Sequence, residues 1–173
     1  MKKKYLILLA VSAFLIALDQ LTKMYIHTHY QLGESTPVIP GFFNITYVRN
    51  FGAAFGFLAQ SNPTFREIFF LSMPPIALII ILSILRSVRD DDMPQILALS
   101  SVFGGAIGNY IDRIRFRYVI DFLDFHYKEA YTYPAFNIAD MGIVCGVCVL
   151  LLVMFLEGRQ KKHSEKVVDV SNH

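Results

Sequence analysis

Long apolar stretches alternate with short polar segments along this chain, and four of the stretches approach the length of a membrane-spanning helix. They cover residues of about 5–26, 68–85, 96–111 and 138–156. A helix needs about 20 apolar residues to cross the hydrocarbon core. The pattern therefore predicts an all-α integral membrane protein with four transmembrane helices. The last two stretches are somewhat short, which indicates that protein shelters their ends.

The connections between the apolar stretches predict a small β-sheet outside the lipid. Phe42–Val48 is rich in aromatic and β-branched side chains, which favours a strand. Pro37, Pro40 and Gly41 precede this run and predict a turn. Because an isolated strand or hairpin is only marginally stable in water, we expect the run to belong to a sheet that lies on the membrane surface.

The lysines and arginines predict which side of the membrane each connection faces, since cytoplasmic loops carry an excess of them. If both termini are cytoplasmic, the inner side holds Lys2, Lys3, Lys4, Arg86, Arg89, Arg159, Lys161, Lys162 and Lys166, and the outer side holds Arg49, Arg66, Arg113, Arg115, Arg117 and Lys128. This bias favours cytoplasmic termini and two longer outer connections. The first apolar stretch lacks a cleavage pattern, so we expect a retained helix and not a signal peptide.

Composition agrees with lipid as the solvent. Hydrophobic residues make up 54% of the 173 residues and charged residues 17%, below the roughly 25% that is typical of soluble domains. The length fits one membrane-embedded domain, residues 1–157, followed by a polar cytoplasmic tail, residues 158–173. The net charge is only +2, and the charged residues are scattered among apolar runs and form no basic face. Both observations argue against nucleic acid as a partner. The histidines lack the spacing of metal ligands, so we expect no metal or cofactor.

Ionisable residues within the predicted spans need an explanation, because they are costly in lipid. Asp19 and Lys23 are four residues apart on one face of the first span. They could form a local ion pair at the outer interface, or face the bundle interior and support a site. Asp112 is followed directly by Arg113, which predicts a structural ion pair between the two.

Small residues at four-residue spacing predict where the third and fourth spans meet. Gly104 with Gly108, and Gly142 with Gly146, form the GxxxG pattern that lets helix backbones approach closely in lipid. We expect these glycines to bring the outer ends of spans three and four together.

Two further carboxylates flank that predicted contact. Asp121 lies in the apolar run Val119–Asp124, which favours a strand or a re-entrant segment, and Asp140 lies in the first turn of span four. Asp140 could simply stabilise the helix, because an acidic residue three positions after the N-cap residue Asn137 interacts favourably with the helix dipole. Two neighbouring carboxylates in a partly apolar site cannot both ionise easily. One could then activate water while the other protonates a leaving group, as in an aspartic peptidase.

Five motifs in order resemble those of the signal peptidase II, or lipoprotein signal peptidase, family over about residues 5–156. They are Asp19–Lys23, Asn50–Phe55, Gly104–Arg113, Val119–Phe122 and Phe136–Asp140. The resemblance implies a membrane aspartic endopeptidase that cuts bacterial prolipoproteins on the N-terminal side of a diacylglyceryl cysteine, without metal or cofactor. It also implies a location in the bacterial cytoplasmic (inner) membrane, with the active site at the extracytoplasmic surface and the outer sheet as a β-cradle.

The resemblance further assigns roles to individual residues. Asp121 and Asp140 would be the catalytic pair. Substrate binding or support of the site would fall to Asp19, Lys23, Asn50, Gly52, Ala54, Gly108, Asn109, Asp112, Arg113, Val119, Asn137 and Ala139. The expected partners are the prolipoprotein substrate and membrane lipid, and we expect a monomer.

Two other functions fit parts of the pattern. A small proton-coupled transporter would carry its carboxylates near the bilayer midplane and show an internal repeat. A non-enzymatic scaffold would use Asp140 only as a helix cap and pair Asp121 with an arginine. The acids lie near the outer span ends and no repeat is visible, so the pattern favours the peptidase. Asp124 is not expected to contribute to catalysis.

Overall fold

The computed structural model describes residues 2–52, 61–127 and 131–171, and these contain four long helices and a small antiparallel sheet. The helices are α1 (Lys3–His29), α2 (Pro63–Ser87), α3 (Met93–Phe116) and α4 (Ile138–Ser171). The strands are β1 (Ser35–Ile39), β2 (Phe43–Asn50), β3 (Val119–Tyr127) and β4 (Tyr131–Thr132). The helices extend beyond the predicted spans, and α4 continues through most of the predicted polar tail.

Three of the described helical segments are long and apolar enough to cross a membrane, as expected of a multi-pass membrane protein. They are α1, α2 and residues Ile138–Arg159 of α4. The helix α3 is less apolar, because it contains serines, glycines and polar residues such as Asn109 and Asp112. It packs against all three other helices, and a helix enclosed by protein does not need an apolar surface on every side. A fourth span through α3 stays a prediction.

The ends of α2 are held by polar side chains. Asn62 precedes the helix and accepts a hydrogen bond from the backbone N–H of Thr64 at 2.9 Å, which satisfies one N-terminal donor. The helix continues through Pro74 and Pro75. At its other end the buried ammonium of Lys4 donates to the carbonyl oxygen of Val88 at 2.6 Å. Lys4 therefore joins the start of α1 to the end of α2, a role that its place in a terminal lysine run did not indicate.

Glycines bring α1, α3 and α4 together. A Cβ at Gly105 would lie against the carbonyl oxygen of Ala139 in α4, and a Cβ at Gly108 would lie 3.2 Å from the Ala139 Cβ. The predicted meeting of α3 and α4 is therefore confirmed. The assignments of Gly104 and Gly142 to this contact were wrong. A Cβ at Gly104 would lie 2.9 Å from the Ser12 Cα in α1, and a Cβ at Gly142 would lie against the Leu15 side chain in α1. The glycines of α3 face two helices, since residues 104 and 105 point about 100° apart on a helix.

The sheet has the strand order β1-β2-β3-β4, with antiparallel pairing throughout. The predicted strand is confirmed as β2, although it ends at Asn50. Pro37 lies in β1 and not in the turn, which contains Gly41 with a φ of 74°. Since β1 is an edge strand, a proline without an N–H donor is tolerated there.

An apolar cluster attaches the sheet to the helices. Tyr47 in β2, Ile120 and Phe122 in β3, and Ile26 near the end of α1 are all buried and pack together. Burying several large side chains of this kind stabilises the contact by about 1.5–3 kcal/mol each. The cluster holds the beginning of β3 against the ends of the helices, which is where Asp121 lies.

Candidate active site

Asp121 and Asp140 are brought together through Asn137. Asp121 lies in β3 and is 2% exposed, and Asp140 lies in the first turn of α4. The side-chain amide of Asn137 donates to Asp121 Oδ1 at 2.6 Å. Its backbone N–H donates to Asp140 Oδ2 at 3.3 Å. One residue therefore binds both carboxylates, which we call the candidate pair.

Asp140 also caps its own helix. The Asn137 Oδ1 atom accepts from the Asp140 backbone N–H at 2.9 Å, in return for the bond from the Asn137 backbone to Asp140. This reciprocal arrangement has the geometry of a capping box, so the predicted helix-cap interpretation of Asp140 is confirmed. The other oxygen, Asp140 Oδ1, accepts from Asn109 Nδ2 at 2.7 Å. Capping and a place in the site are therefore compatible for this carboxylate.

Asp121 has an environment that favours its protonated form. Burial is the largest influence, and the nearby carboxylate of Asp140 is the next; together they raise the pKa of Asp121 from 3.8 to about 7. Hydrogen bonds from Asn50 Nδ2 at 2.9 Å and from Asn137 oppose this rise, as does the charge of Lys23. Near neutral pH Asp121 therefore keeps its proton in a substantial part of the molecules, whereas a solvated aspartate would have lost it.

Lys23 is the centre of a buried ion cluster beside the candidate pair. Its ammonium lies 2.9 Å from Asp19 Oδ2 and 3.0 Å from Asp112 Oδ2, and it donates to Asn109 Oδ1 at 2.9 Å. These three acceptors match the three donors of an ammonium group. Asp19 and Lys23 are fully buried, so they face the bundle interior. The predicted pairing of Asp112 with Arg113 was wrong, because the ion-pair partner of Asp112 is Lys23.

Asp19 and Asp112, which we call the supporting carboxylates, each bind the backbone immediately before one member of the candidate pair. Asp19 Oδ1 accepts from the backbone N–H of Ala139 at 2.9 Å, and Asp112 Oδ2 accepts from that of Ile120 at 3.1 Å. A buried backbone donor without a partner is costly. These bonds therefore hold the chain in place at the candidate pair.

Arg113, near the end of α3, connects the site to the segment that follows β2. Its Nη2 atom donates to the Gly52 carbonyl oxygen at 2.8 Å, and its guanidinium lies 4.6 Å from the centre of the Phe70 ring. The backbone N–H of Gly52 in turn donates to Asn50 Oδ1 at 2.9 Å. Arg113 also lines a cavity of about 100 Å³ between the ends of α2 and α3, with Phe51 and Phe70 among its other walls.

The remaining predicted residues are structural neighbours of the site. Val119 is buried and lies opposite Asn50 in the sheet register. A Cβ on Gly108 would lie 2.6 Å from Asp19 Oδ2, so this position needs glycine. Ala54 lies outside the described residues. Asp124 accepts from Thr46 Oγ1 at 3.1 Å on the sheet, away from Asn137.

Among the residues that the structure describes, no group of three or more His, Cys, Asp or Glu side chains is arranged to hold a metal ion. The carboxylates of the site instead face amide groups, backbone N–H groups and one ammonium. Two carboxylates held on one asparagine, one of them with a raised pKa, have the chemistry to accept and donate a proton, which general acid–base catalysis requires.

Comparison with known proteins relates this geometry to a family. The signal peptidase (SPase) II family model matches residues 11–156. The lipoprotein signal peptidase of Syntrophus aciditrophicus (strain SB) is 48% identical over 161 residues, which cover 93% of this chain and 99% of that protein. The one from Brevibacillus brevis is 43% identical over 153 residues, covering 88% of this chain and 97% of that protein.

Solved structures agree with these relatives. A bacterial membrane enzyme determined by the in meso method at 2.3 Å resolution superposes with a TM-score of 0.80 and 33% identity, covering 89% of this chain and 90% of that chain. A second, at 1.9 Å resolution, has a TM-score of 0.74 and 34% identity, covering 85% of this chain and 91% of that chain. The similarity therefore extends over the helices and the sheet alike.

Proposed function

This chain belongs to the signal peptidase II family and removes signal peptides from prolipoproteins, and we propose that it does so as an aspartic endopeptidase with Asp121 and Asp140 as the catalytic residues. The observation that supports this proposal most strongly is the position of two carboxylates on one asparagine, Asn137. Burial and mutual repulsion keep one proton on such a pair near neutral pH.

In the proposed reaction Asp121 carries the shared proton and Asp140 acts as the base. The raised pKa of Asp121, about 7 because of burial and the charge of Asp140, supports this assignment. The only described protein donor to Asp140 Oδ2 is the Asn137 backbone at 3.3 Å, which leaves this oxygen able to accept a proton from water. Asn50 and Asn109 orient the two carboxylates from their other sides.

The steps follow from these positions. Asp140 takes a proton from water while the water oxygen attacks the scissile carbonyl carbon, and Asp121 gives its proton to the carbonyl oxygen. When the C–N bond breaks, the departing amine takes the proton from Asp140. A hydroxyl of the tetrahedral intermediate returns a proton to Asp121 as the carboxyl group forms. Water and the two carboxylates are sufficient for this cycle, which requires no cofactor.

The proposed substrate is a prolipoprotein whose cysteine carries a diacylglyceryl group, cut on the N-terminal side of that cysteine. A lipid anchor keeps the scissile bond at the membrane surface, and the candidate pair lies where α3 ends and α4 begins. We propose four spans with cytoplasmic termini in the bacterial cytoplasmic membrane, and the site at the extracytoplasmic surface. The proposed enzyme is a monomer, with residues 1–157 as one domain and 158–173 as a cytoplasmic tail.

The outer sheet supports a role as a β-cradle for the substrate. Leu123 and Phe125 alternate with Asp121 along β3 and share its face of the sheet, and Ile45 and Phe43 lie opposite them in register. An extended peptide that reaches Asp121 can therefore rest on an apolar surface. Membership of a peptidase family also argues against the transporter and scaffold alternatives.

Substitution of each aspartate tests the proposal. Asp121→Asn and Asp140→Asn are each expected to abolish processing while the protein still reaches the membrane, because an amide can neither take nor give the proton. The measurement is the accumulation of diacylglyceryl-modified precursor in cells that lack any other copy of the enzyme. Asp124→Asn is the matched control and should process normally. Normal amounts of mature lipoprotein in either active-site variant would refute the catalytic pair.

A further inference from the structure

Gln20 connects the two supporting carboxylates, although the motif Asp19–Lys23 in which it lies assigned it no role. Its side-chain amide Nε2 atom donates to Asp112 Oδ1 at 2.9 Å, lies 3.2 Å from Asp19 Oδ2, and contacts the Gly108 carbonyl oxygen at 3.1 Å. Lys23 bridges the same two carboxylates through their Oδ2 atoms. Asp19 and Asp112 are therefore joined twice, once by a cation and once by an amide.

This double bridge lies directly behind the candidate pair. Asp19 binds the backbone N–H of the residue before Asp140, and Asp112 binds that of the residue before Asp121. The two connections are matched, since each runs from a supporting carboxylate through one backbone amide to a candidate carboxylate. A change in the distance between the supporting carboxylates would therefore act on the backbone that carries Asp121 and Asp140.

We propose that Gln20 is a positioning residue that sets the separation of Asp121 and Asp140 by holding Asp19 and Asp112 at a fixed distance. Two buried carboxylates repel each other, and one ammonium cannot by itself fix both the distance and the orientation of each. The amide of Gln20 adds neutral donors between them without adding charge. Its position one turn from Lys23 on α1 lets both groups reach the same two acceptors.

This inference rests on the proposed catalytic pair and adds a residue that touches neither substrate nor the reacting atoms. If the separation increases, the carboxylate of Asp140 repels the charge on Asp121 less, and water enters more easily. Both changes lower the pKa of Asp121 towards its ordinary value. Within the described residues, Lys23 and Arg113 also carry charge near Asp121, and replacing Gln20 leaves both in place.

The test replaces Gln20 with methionine, which has a similar length and no hydrogen-bond donor. Cleavage of a synthetic diacylglyceryl-cysteine peptide is followed in detergent micelles across the neutral pH range. We expect kcat to fall by about 10- to 100-fold, as for small displacements of reacting groups, with little change in KM. We also expect the alkaline limb of the kcat/KM profile to move to lower pH.

Ser12→Ala is the matched control. Ser12 also makes a buried hydrogen bond from α1 to α3, donating to the Ser100 carbonyl oxygen at 2.9 Å, but about two helical turns away from Gln20. It should lower the melting temperature without changing kcat or the pH profile. Gln20→Asn is a second variant, because it keeps a polar group in the buried site but is too short to bridge both carboxylates. It should show the same kcat loss and the same shift.

The outcomes separate the two proposals. An active Asp121→Asn enzyme in this assay would overturn the catalytic pair, whatever the Gln20 variants do. If Asp121→Asn is inactive and the folded Gln20 variants keep the kcat and pH profile of Ser12→Ala, the positioning role is overturned and the catalytic pair stands. A loss of kcat in the Gln20 variants, together with an alkaline limb moved to lower pH, supports both the catalytic pair and the positioning role of Gln20.

Discussion

Replacing Asp121 with asparagine tests the electrostatics of the candidate pair through the pH dependence of folding, independently of any substrate. In the folded protein, burial and the charge of Asp140 raise the pKa of Asp121 from 3.8 to about 7. The folded state then binds a proton more tightly than the unfolded state between these two values. The free energy of unfolding must therefore fall as the pH rises through this window.

The magnitude follows from the two pKa values. Each pKa unit corresponds to about 1.4 kcal/mol, so ionising Asp121 in the folded protein costs about 4 kcal/mol once the pH exceeds both values. An asparagine does not titrate, and this part of the pH dependence should disappear. The substitution has a separate cost that does not depend on pH. Its NH2 group would face the amide donors of Asn50 or Asn137, which costs about 1–3 kcal/mol.

The informative quantity is therefore the difference in the free energy of unfolding between two pH values, and not its value at either pH. Unfolding of the parent and of Asp121→Asn would be measured in detergent micelles at about pH 5 and about pH 8, which bracket the upper part of the window. The chain contains no tryptophan, so far-ultraviolet circular dichroism is the suitable signal. Asp124→Asn, on the same strand but away from Asn137, should retain the pH dependence of the parent.

Between these two pH values the parent is expected to lose more stability than Asp121→Asn, by about 3 kcal/mol, because only the part of the window above pH 5 is measured. Equal losses in the two proteins would refute the reasoning, since Asp121 would then titrate alike in the folded and unfolded states. A larger loss in the variant would also refute it, because Asp121 would then bind its proton less tightly in the folded state than in the unfolded state.

Two further predictions concern the helix contact and the orientation of Asp121. Gly105→Ala should lower the free energy of unfolding by about 2 kcal/mol or more and reduce kcat, because its Cβ would meet the Ala139 carbonyl oxygen. Gly158 has open space around it, so Gly158→Ala should change neither quantity. Melting followed by circular dichroism and cleavage of the peptide substrate would test both variants. Asn50→Ala removes a hydrogen bond that lowers the pKa of Asp121, so the alkaline limb of the kcat/KM profile should move to higher pH, and a shift to lower pH would contradict the assigned role.

Local patterns allowed much of this protein to be predicted. The predicted run at Phe42–Val48 forms a strand from Phe43 onward because aromatic and β-branched side chains suit a pleated surface. Asp140 caps α4 behind Asn137 because an N-cap and its reciprocal partner are three residues apart. Gly108 of α3 meets α4 because small residues permit close approach. In each case the interacting residues are near in sequence, or a single helix face decides the outcome.

Partners that are distant in sequence could not be predicted in the same way. Asp112 was assigned to its neighbour Arg113, but the fold directs it to Lys23 and leaves Arg113 to bind the Gly52 carbonyl oxygen. Adjacent residues on a helix point about 100° apart, so neighbours in sequence do not face each other. Gln20 escaped notice because its partners lie as many as 92 positions away.

The order of residues along the chain was sufficient to identify the kinds of residue in the site and the local structure that carries each of them. It was also sufficient to identify the family, since five short motifs in order are independent of any distance in space. The folded helices and sheet were needed to show that Asp121 and Asp140 share Asn137. They were also needed to show that Asp19 reaches across 120 positions to the backbone of Ala139. Buried charges take whichever partners helix packing places beside them, and close packing at the glycines of α3 determines which those are.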